Sequence, residues 1–115
     1  MDLVAAPTLA ETEVVFAALA HAARRHIVQM LSHYGDELPS GYLAQRLPHS
    51  WPTTTRHLSV LVAAGVIEVR REGRSSFYRI DRDRIRRVIG GWLGFLEPPS
   101  STKTWRSSGR RTTKG

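Results

Sequence analysis

The chain has 115 residues, enough for one modest hydrophobic core, with 41% apolar and 23% charged residues, an ordinary globular balance. It has no cysteine, which excludes disulfides and thiolate metal sites, and no apolar run near the roughly 20 residues that cross a bilayer. Lys and Arg number 17 against 10 acids, net +7, a surplus that favours a polyanion such as nucleic acid. Five of those bases follow Glu97 with no acid among them, so residues 1–97 hold 12 bases against 10 acids. Charge alone therefore does not decide function.

The start, "MDLVAAPTLAETE", has no basic segment and carries acids early, so a secretory signal is not expected. Residues 8–20 read as a first helix. Thr8 and Glu11 have capping-box spacing, in which each side chain satisfies the other's backbone N–H. Val14, Val15, Phe16, Leu19 and Ala20 then make an apolar surface broader than a lone surface helix needs.

"HAARRHIVQMLSHYG" reads as a second helix. Ala23, Ile27, Met30, Leu31 and Tyr34 recur at the spacing of one buried stripe, and Gly35 is a stop. "DELP" reads as a short extended connection. Ser40 is placed to cap a third helix, Gly41 to Leu47, which Pro48 ends. After the turn "PHS", Ser50 caps a fourth helix with Pro52 in its first turn, where a missing N–H costs nothing. That helix runs to about Ala64 and stops at Gly65. Two short helices around a tight turn are a helix-turn-helix.

"VIEVRREGRSSFYRI" reads as a hairpin turning at Glu72-Gly73, with Val69, Tyr78 and Ile80 suited to a half-buried ladder. "DRDRIRRVIGGWLGFLE" is a last helix, with Asp81 or Asp83 at its positive end and a stripe of Ile85, Val88, Ile89, Trp92, Leu93 and Leu96. Gly90, Gly91 and Gly94 mark a break in it or a close approach. The order is mainly α with a small β-hairpin: a winged helix-turn-helix with an extra helix at each end, over residues 1–97. Residues 98–115 are rich in Pro, Ser, Thr, Gly and bases, the composition of a disordered tail.

The stretch from Phe16 to Asp81 resembles the ArsR-type bacterial repressors. The resemblance rests on "ALAHAARRHIVQML", "LAQRL" and "RHLSVLVAAGVIEVRREGRSSFYRI". Pro52 and the pair Trp92-Leu93 are most similar to the metal-independent autorepressor branch. Three features depart from the family pattern, the first being Thr55 where serine is usual, which keeps a hydroxyl. His21-Ala22-Ala23-Arg24 stands where Asp-Pro-Thr-Arg is usual, which weakens the second helix's cap. "ELPSGYLAQRL" stands where metal-sensing members carry a cysteine pair. The resemblance implies a cytoplasmic homodimer that binds a palindromic double-stranded DNA operator and represses transcription. It places the dimer interface on the first and last helices: Val15, Phe16, Leu19, Ile85, Ile89, Trp92, Leu93 and Leu96. Those helices already carry the broad apolar faces read from the sequence.

A helix fits the major groove, and its N-terminal residues reach base edges. Thr53, Thr55 and Ser59 offer hydroxyls to bases or phosphates, and Arg56 reads guanine or holds a phosphate. Backbone N–H groups near Ser50 favour an anion. Thr54, four residues before Leu58, belongs inside. His57 fits equally a phosphate contact or a hydrogen bond within the fold, and Trp51 lies on the sugar-phosphate backbone or covers the turn. In the wing, Arg70, Arg71, Arg74, Ser75 and Ser76 are candidate phosphate or minor-groove contacts, while Arg79 is suited to pairing within the fold. No histidine pair has the spacing to share a metal ion, so no metal or cofactor is expected. No catalytic constellation is present. The competing readings are a metal- or ligand-responsive repressor of the same fold, and a winged-helix protein–protein adaptor that leaves DNA alone.

Overall fold

A computed structural model describes residues 6–98, so the basic tail beyond Pro98 lies outside the described residues. Helix α1 spans Leu9–Ala18. Its capping box closes in both directions: the Glu11 N–H donates to Thr8 Oγ1 at 3.0 Å, and the Thr8 N–H donates to Glu11 Oε1 at 3.1 Å. Helix α2 spans Ala22–His33 and begins at His21 with no side-chain cap, as the departure from Asp-Pro-Thr-Arg predicts.

Gly35 and Asp36 both take positive φ, +90° and +80°, and turn the chain back on itself. The "DELP" segment, expected as a plain connection, is a strand. β1, Glu37–Pro39, pairs antiparallel with the later strand Ser75–Ile80, matching Leu38 with Tyr78. Pro39 needs no ladder N–H at the strand's end, and Leu38 is buried, so three residues suffice.

Helix α3 spans Ser40–Arg46. Ser40, expected as its cap, is instead its first residue. Pro39 occupies the N-cap position and gives no side-chain bond. Helix α4, Trp51–Ala63, has the cap expected for it: Ser50 Oγ accepts the Thr53 N–H at 3.3 Å. Gly65 follows at φ +77°, and an added Cβ there would lie 2.5 Å from Arg84 Nε. Arg84 Nε itself donates to the Ala64 carbonyl at 3.1 Å, closing the end of α4.

Strands β2, Ile67–Glu72, and β3, Ser75–Ile80, form the hairpin, and the sheet order is β1-β3-β2. The last pair is Glu72 with Ser75, so the turn is Gly73-Arg74, one residue later than expected. Gly73 at φ +62° takes the first central position, where type II′ turns place glycine. Helix α5, Arg82–Gly94, is capped by Asp81, whose carboxylate accepts the Arg84 N–H at 3.0 Å. It passes through Gly90 and Gly91 unbroken. Gly91 marks a close approach instead, since a Cβ there would lie 2.7 Å from Pro7 Cδ.

The core draws on every element. Ile27 and Leu31 of α2, Leu43 of α3, Leu58 and Leu61 of α4, Val66, Ile67 and Ile80 around the sheet, Val15 of α1 and Val88 of α5 are all buried. α4 therefore has its rear seated in the core. Among the described residues no helix is long and apolar enough to cross a membrane.

Candidate nucleic-acid interface

The front of α4 is open. Thr55, Arg56 and Ser59 are exposed, and Arg56 has no ion-pair partner among the described residues. Thr54 behaves as its spacing predicts: it is 1% exposed, although its Oγ1 finds no hydrogen-bond partner. Thr53 is half-buried and its hydroxyl accepts from Ser50 Oγ at 3.1 Å, so both hydroxyls are in use within the cap. The anion-binding capacity of this helix end is narrower than expected. Pro52 has no N–H and the Thr53 N–H is taken by Ser50, which leaves the Trp51 N–H in the first turn. Trp51 itself remains 39% exposed.

His57 lies in a different environment. Arg24 of α2 approaches its Nδ1 at 3.2 Å. A guanidinium has only donors, so Nδ1 accepts and the neutral ring carries its hydrogen on Nε2. The rings of His21 and His49 lie 5.7 and 5.9 Å from that of His57. Burial holds the His57 pKa below its ordinary value, and the charges of Arg24, His21, His49 and Arg56 add to the effect. Of the two readings open to this residue, the hydrogen bond within the fold is present.

In the wing, Arg71, Arg74 and Ser75 are exposed, and Ser76 is half-buried. Neither Arg71 nor Arg74 has an ion-pair partner among the described residues. Arg70 differs from them. Its Nε and Nη2 donate to Glu37 at 3.2 and 3.0 Å, its Nη1 donates to Glu72 at 2.9 Å, and it lies over the Phe77 ring. Arg70 therefore bridges β1 to β2 and is engaged within the sheet, which the sequence expectation did not include. β1 was not expected as a strand, so its partner Glu37 could not have been foreseen. Arg79 pairs with Glu68 at 2.9 Å, as anticipated.

A second surface, carried by α1 and α5, is apolar. Leu9 and Val14 from α1, and Trp92, Leu93, Phe95 and Leu96 from α5 and just beyond it, are exposed, Phe95 by 79%. Phe16 meets Trp92 edge-on at 5.3 Å and joins the two helices. Val15, expected on an interface, is fully buried within the chain itself. Leu19, Ile85 and Ile89 pack against the core. Val15 leaves the candidate interface, while Leu19, Ile85 and Ile89 stay partly exposed, because a broad apolar face divides into buried and exposed parts that periodicity does not separate. Leu9 and Phe95 join it. Both lie outside the regular stripes, which is why the pattern missed them.

Arg24 was also missed. It is 33 residues from His57 and carries no local signal. Among the described residues no three His, Asp or Glu side chains are placed to hold a metal ion.

Residues 19–70 match the family model described as a helix-turn-helix domain. The chain is 34% identical over 79 residues to the biofilm growth-associated repressor of Agrobacterium fabrum, covering 69% of this chain and 66% of that protein. The chain thus spans just under two thirds of that repressor. It is 31% identical to an ArsR-like transcriptional regulator from Rhodococcus sp. RHA1, covering 76% of this chain and 87% of that one, with a TM-score of 0.59. The homodimeric winged helix-turn-helix DNA-binding domain of a possible ArsR-family regulator from Mycobacterium bovis shares the fold. It is 23% identical, with a TM-score of 0.62 over 94% of this chain and 99% of that one.

Proposed function

The chain belongs to the ArsR-type winged helix-turn-helix family of DNA-binding transcriptional regulators, and from that premise we propose that it is a repressor acting as a homodimer on a palindromic operator. One observation carries the reading. α4 has its rear locked in the core by Leu58 and Leu61 while Thr55, Arg56 and Ser59 stand exposed at its front, with Arg56 unpaired among the described residues. A polar helix front held rigidly is what groove reading requires.

In this reading Arg56, Thr55 and Ser59 meet base edges or phosphates. Thr53 and Ser50 mainly fix the helix end, and the Trp51 N–H with its ring lies along the backbone. Arg71 and Arg74, with Ser75 and Ser76, hold phosphates beside the groove. The exposed face of Leu9, Val14, Trp92, Leu93, Phe95 and Leu96 seats a second copy. That arrangement sets two recognition helices about 34–36 Å apart, or a multiple of it, matching successive turns of DNA. Such a protein works beside the chromosome, in the cytoplasm. The metal-sensing alternative would have to do without thiolates, since the sequence has no cysteine, and would need His, Asp or Glu donors from both copies.

The test is a gel shift with duplex from the protein's own promoter against random duplex, over a range of salt. A clear preference for the promoter that survives moderate salt supports the reading. Equal affinity for both, lost together as salt rises, makes it wrong and favours the adaptor. Removing residues 98–115 should flatten the salt dependence by about 0.9 in log–log slope for each phosphate that the tail neutralises, and keep the preference. An unchanged slope takes the tail out of the DNA complex.

A further inference from the structure

α1 ends where α2 begins, and one side chain spans the gap. Arg24 Nε donates to the Ala18 carbonyl at 2.6 Å and its Nη2 to the Ala17 carbonyl at 3.4 Å. These carbonyls belong to the last turn of α1, where no intrahelical donor reaches all of them. The remaining edge of the same guanidinium holds His57 Nδ1 at 3.2 Å. The fork geometry of arginine lets one rigid group fix both partners at once. His57 lies between Arg56, at the open front of α4, and Leu58, in the core. The neighbouring Arg25 also donates to the end of α1, at Leu19 and Ala20, but no bond joins it to α4.

We propose that Arg24 is a positioning residue for DNA recognition: its guanidinium ties the end of α1 to His57 and so sets how α4 is presented to the groove. The inference rests on the proposed DNA-reading function. Arg24 touches no DNA itself. It acts through His57, and it links the helix carrying the proposed dimer face to the helix that reads the operator.

The link holds only while His57 is neutral, because a protonated Nδ1 has no lone pair to accept with. The charged and titratable groups around His57 are Arg24 from α2, His21 before α2, His49 from the turn before α4, and Arg56 beside it on α4. None is an acid, so nothing in that set compensates a proton on the ring. Protonation breaks the contact and places like charges together. A charged His57 attracts any phosphate, so affinity for random duplex does not report the broken link. The ratio of operator to random affinity does, because it cancels the shared phosphate term.

The experiment measures that ratio between pH 7.5 and 5 for the wild type, four single variants and one double variant, with thermal midpoints recorded in parallel. Arg24→Gln and His57→Leu should each lower the ratio at pH 7.5 by about tenfold, and together by no more than either alone, since they break one contact. His57→Asn keeps a carbonyl acceptor near the position of Nδ1. It should retain most of the ratio and lose the fall that the wild type shows below its histidine titration. Arg25→Gln removes capping bonds from the same helix end without touching His57, and should leave the ratio unchanged. Strictly additive effects of Arg24→Gln and His57→Leu would overturn the inference. So would an equal drop in Arg25→Gln, which would reduce Arg24 to a cap, or a full ratio in His57→Leu. A wild type with no operator preference overturns the function itself and this inference with it. Wild-type preference that persists in His57→Leu overturns the inference alone.

Discussion

Two groups of arginines in this protein contrast. Arg56 on α4 and Arg71 and Arg74 on the wing are exposed, with no carboxylate partner among the described residues. Arg70, Arg79, Arg82, Arg84 and Arg87 each hold an acid: Glu37, Glu68, Asp36 and, for the last two, Glu11. Residues 1–97 carry only a small net charge, yet that charge is sorted in space. Glu11, Asp36, Glu37 and Glu68 hold arginines that brace the sheet and join α1 to α5, while the recognition helix and the wing tip keep their cations unpaired. A basic surface can thus arise on a nearly neutral domain from where the pairs form.

The largest effect should come from breaking the exposed apolar face of α1 and α5. Leu93→Glu places a charge on an exposed face that the reading buries in a dimer, where an unpaired carboxylate costs several kcal/mol. Sedimentation equilibrium should show the dimer weakened by more than about 100-fold. A dimer of unchanged strength would move the interface elsewhere. Next in size, Arg56→Ala tests the unpaired population. It should cost about 1–3 kcal/mol of operator discrimination if Arg56 reads a base. A uniform drop on operator and random duplex would make it a phosphate contact.

Thr54→Val probes the seam between the two sides of α4. The Thr54 hydroxyl is buried without a partner, so replacing it by a methyl should stabilise the fold by about 1 kcal/mol in urea denaturation. Operator preference should not change. A destabilised variant would mean that the hydroxyl is satisfied.

The subtlest effect concerns the paired population. Hydrogen bonds from Arg87 and from the Thr8 N–H, with the nearby charges of Arg87 and Arg84, hold the Glu11 pKa at about 2 against an ordinary 4.5. The unfolded chain therefore takes up this proton first as pH falls. Glu11 contributes stability above about pH 4.5 that is lost on the way down to about pH 2. Glu11→Gln should lower stability at neutral pH and flatten that part of the acid limb. An acid limb of unchanged steepness would show that the pair contributes nothing net, as exposed pairs often do.

Most of the fold was legible in the sequence because its signals are local. Thr8 and Glu11, Ser50 with Pro52, and Gly65 and Gly73 each act on backbone groups within a few residues, and all operate as their spacing implies. The family resemblance rested on the same contiguous stretch. What escaped was short or distant. β1 has three residues and exists because β3, some forty residues later, supplies its ladder. Its partner strand then brings Glu37 to Arg70, which engages that arginine within the sheet.

The sequence by itself determined the order of the helices and the hairpin, the polar front and apolar rear of α4, and the presence of two apolar terminal helices. Capping, turn chemistry and periodicity depend on neighbours along the chain, so no folding is needed to read them. Only the tertiary structure decided which apolar residues stay exposed, which arginines are already paired and what His57 does. Val15 is buried and Val14 is not, and Arg70 is paired while Arg71 is not. Each depends on a partner brought near by packing, and linear spacing does not encode that distance.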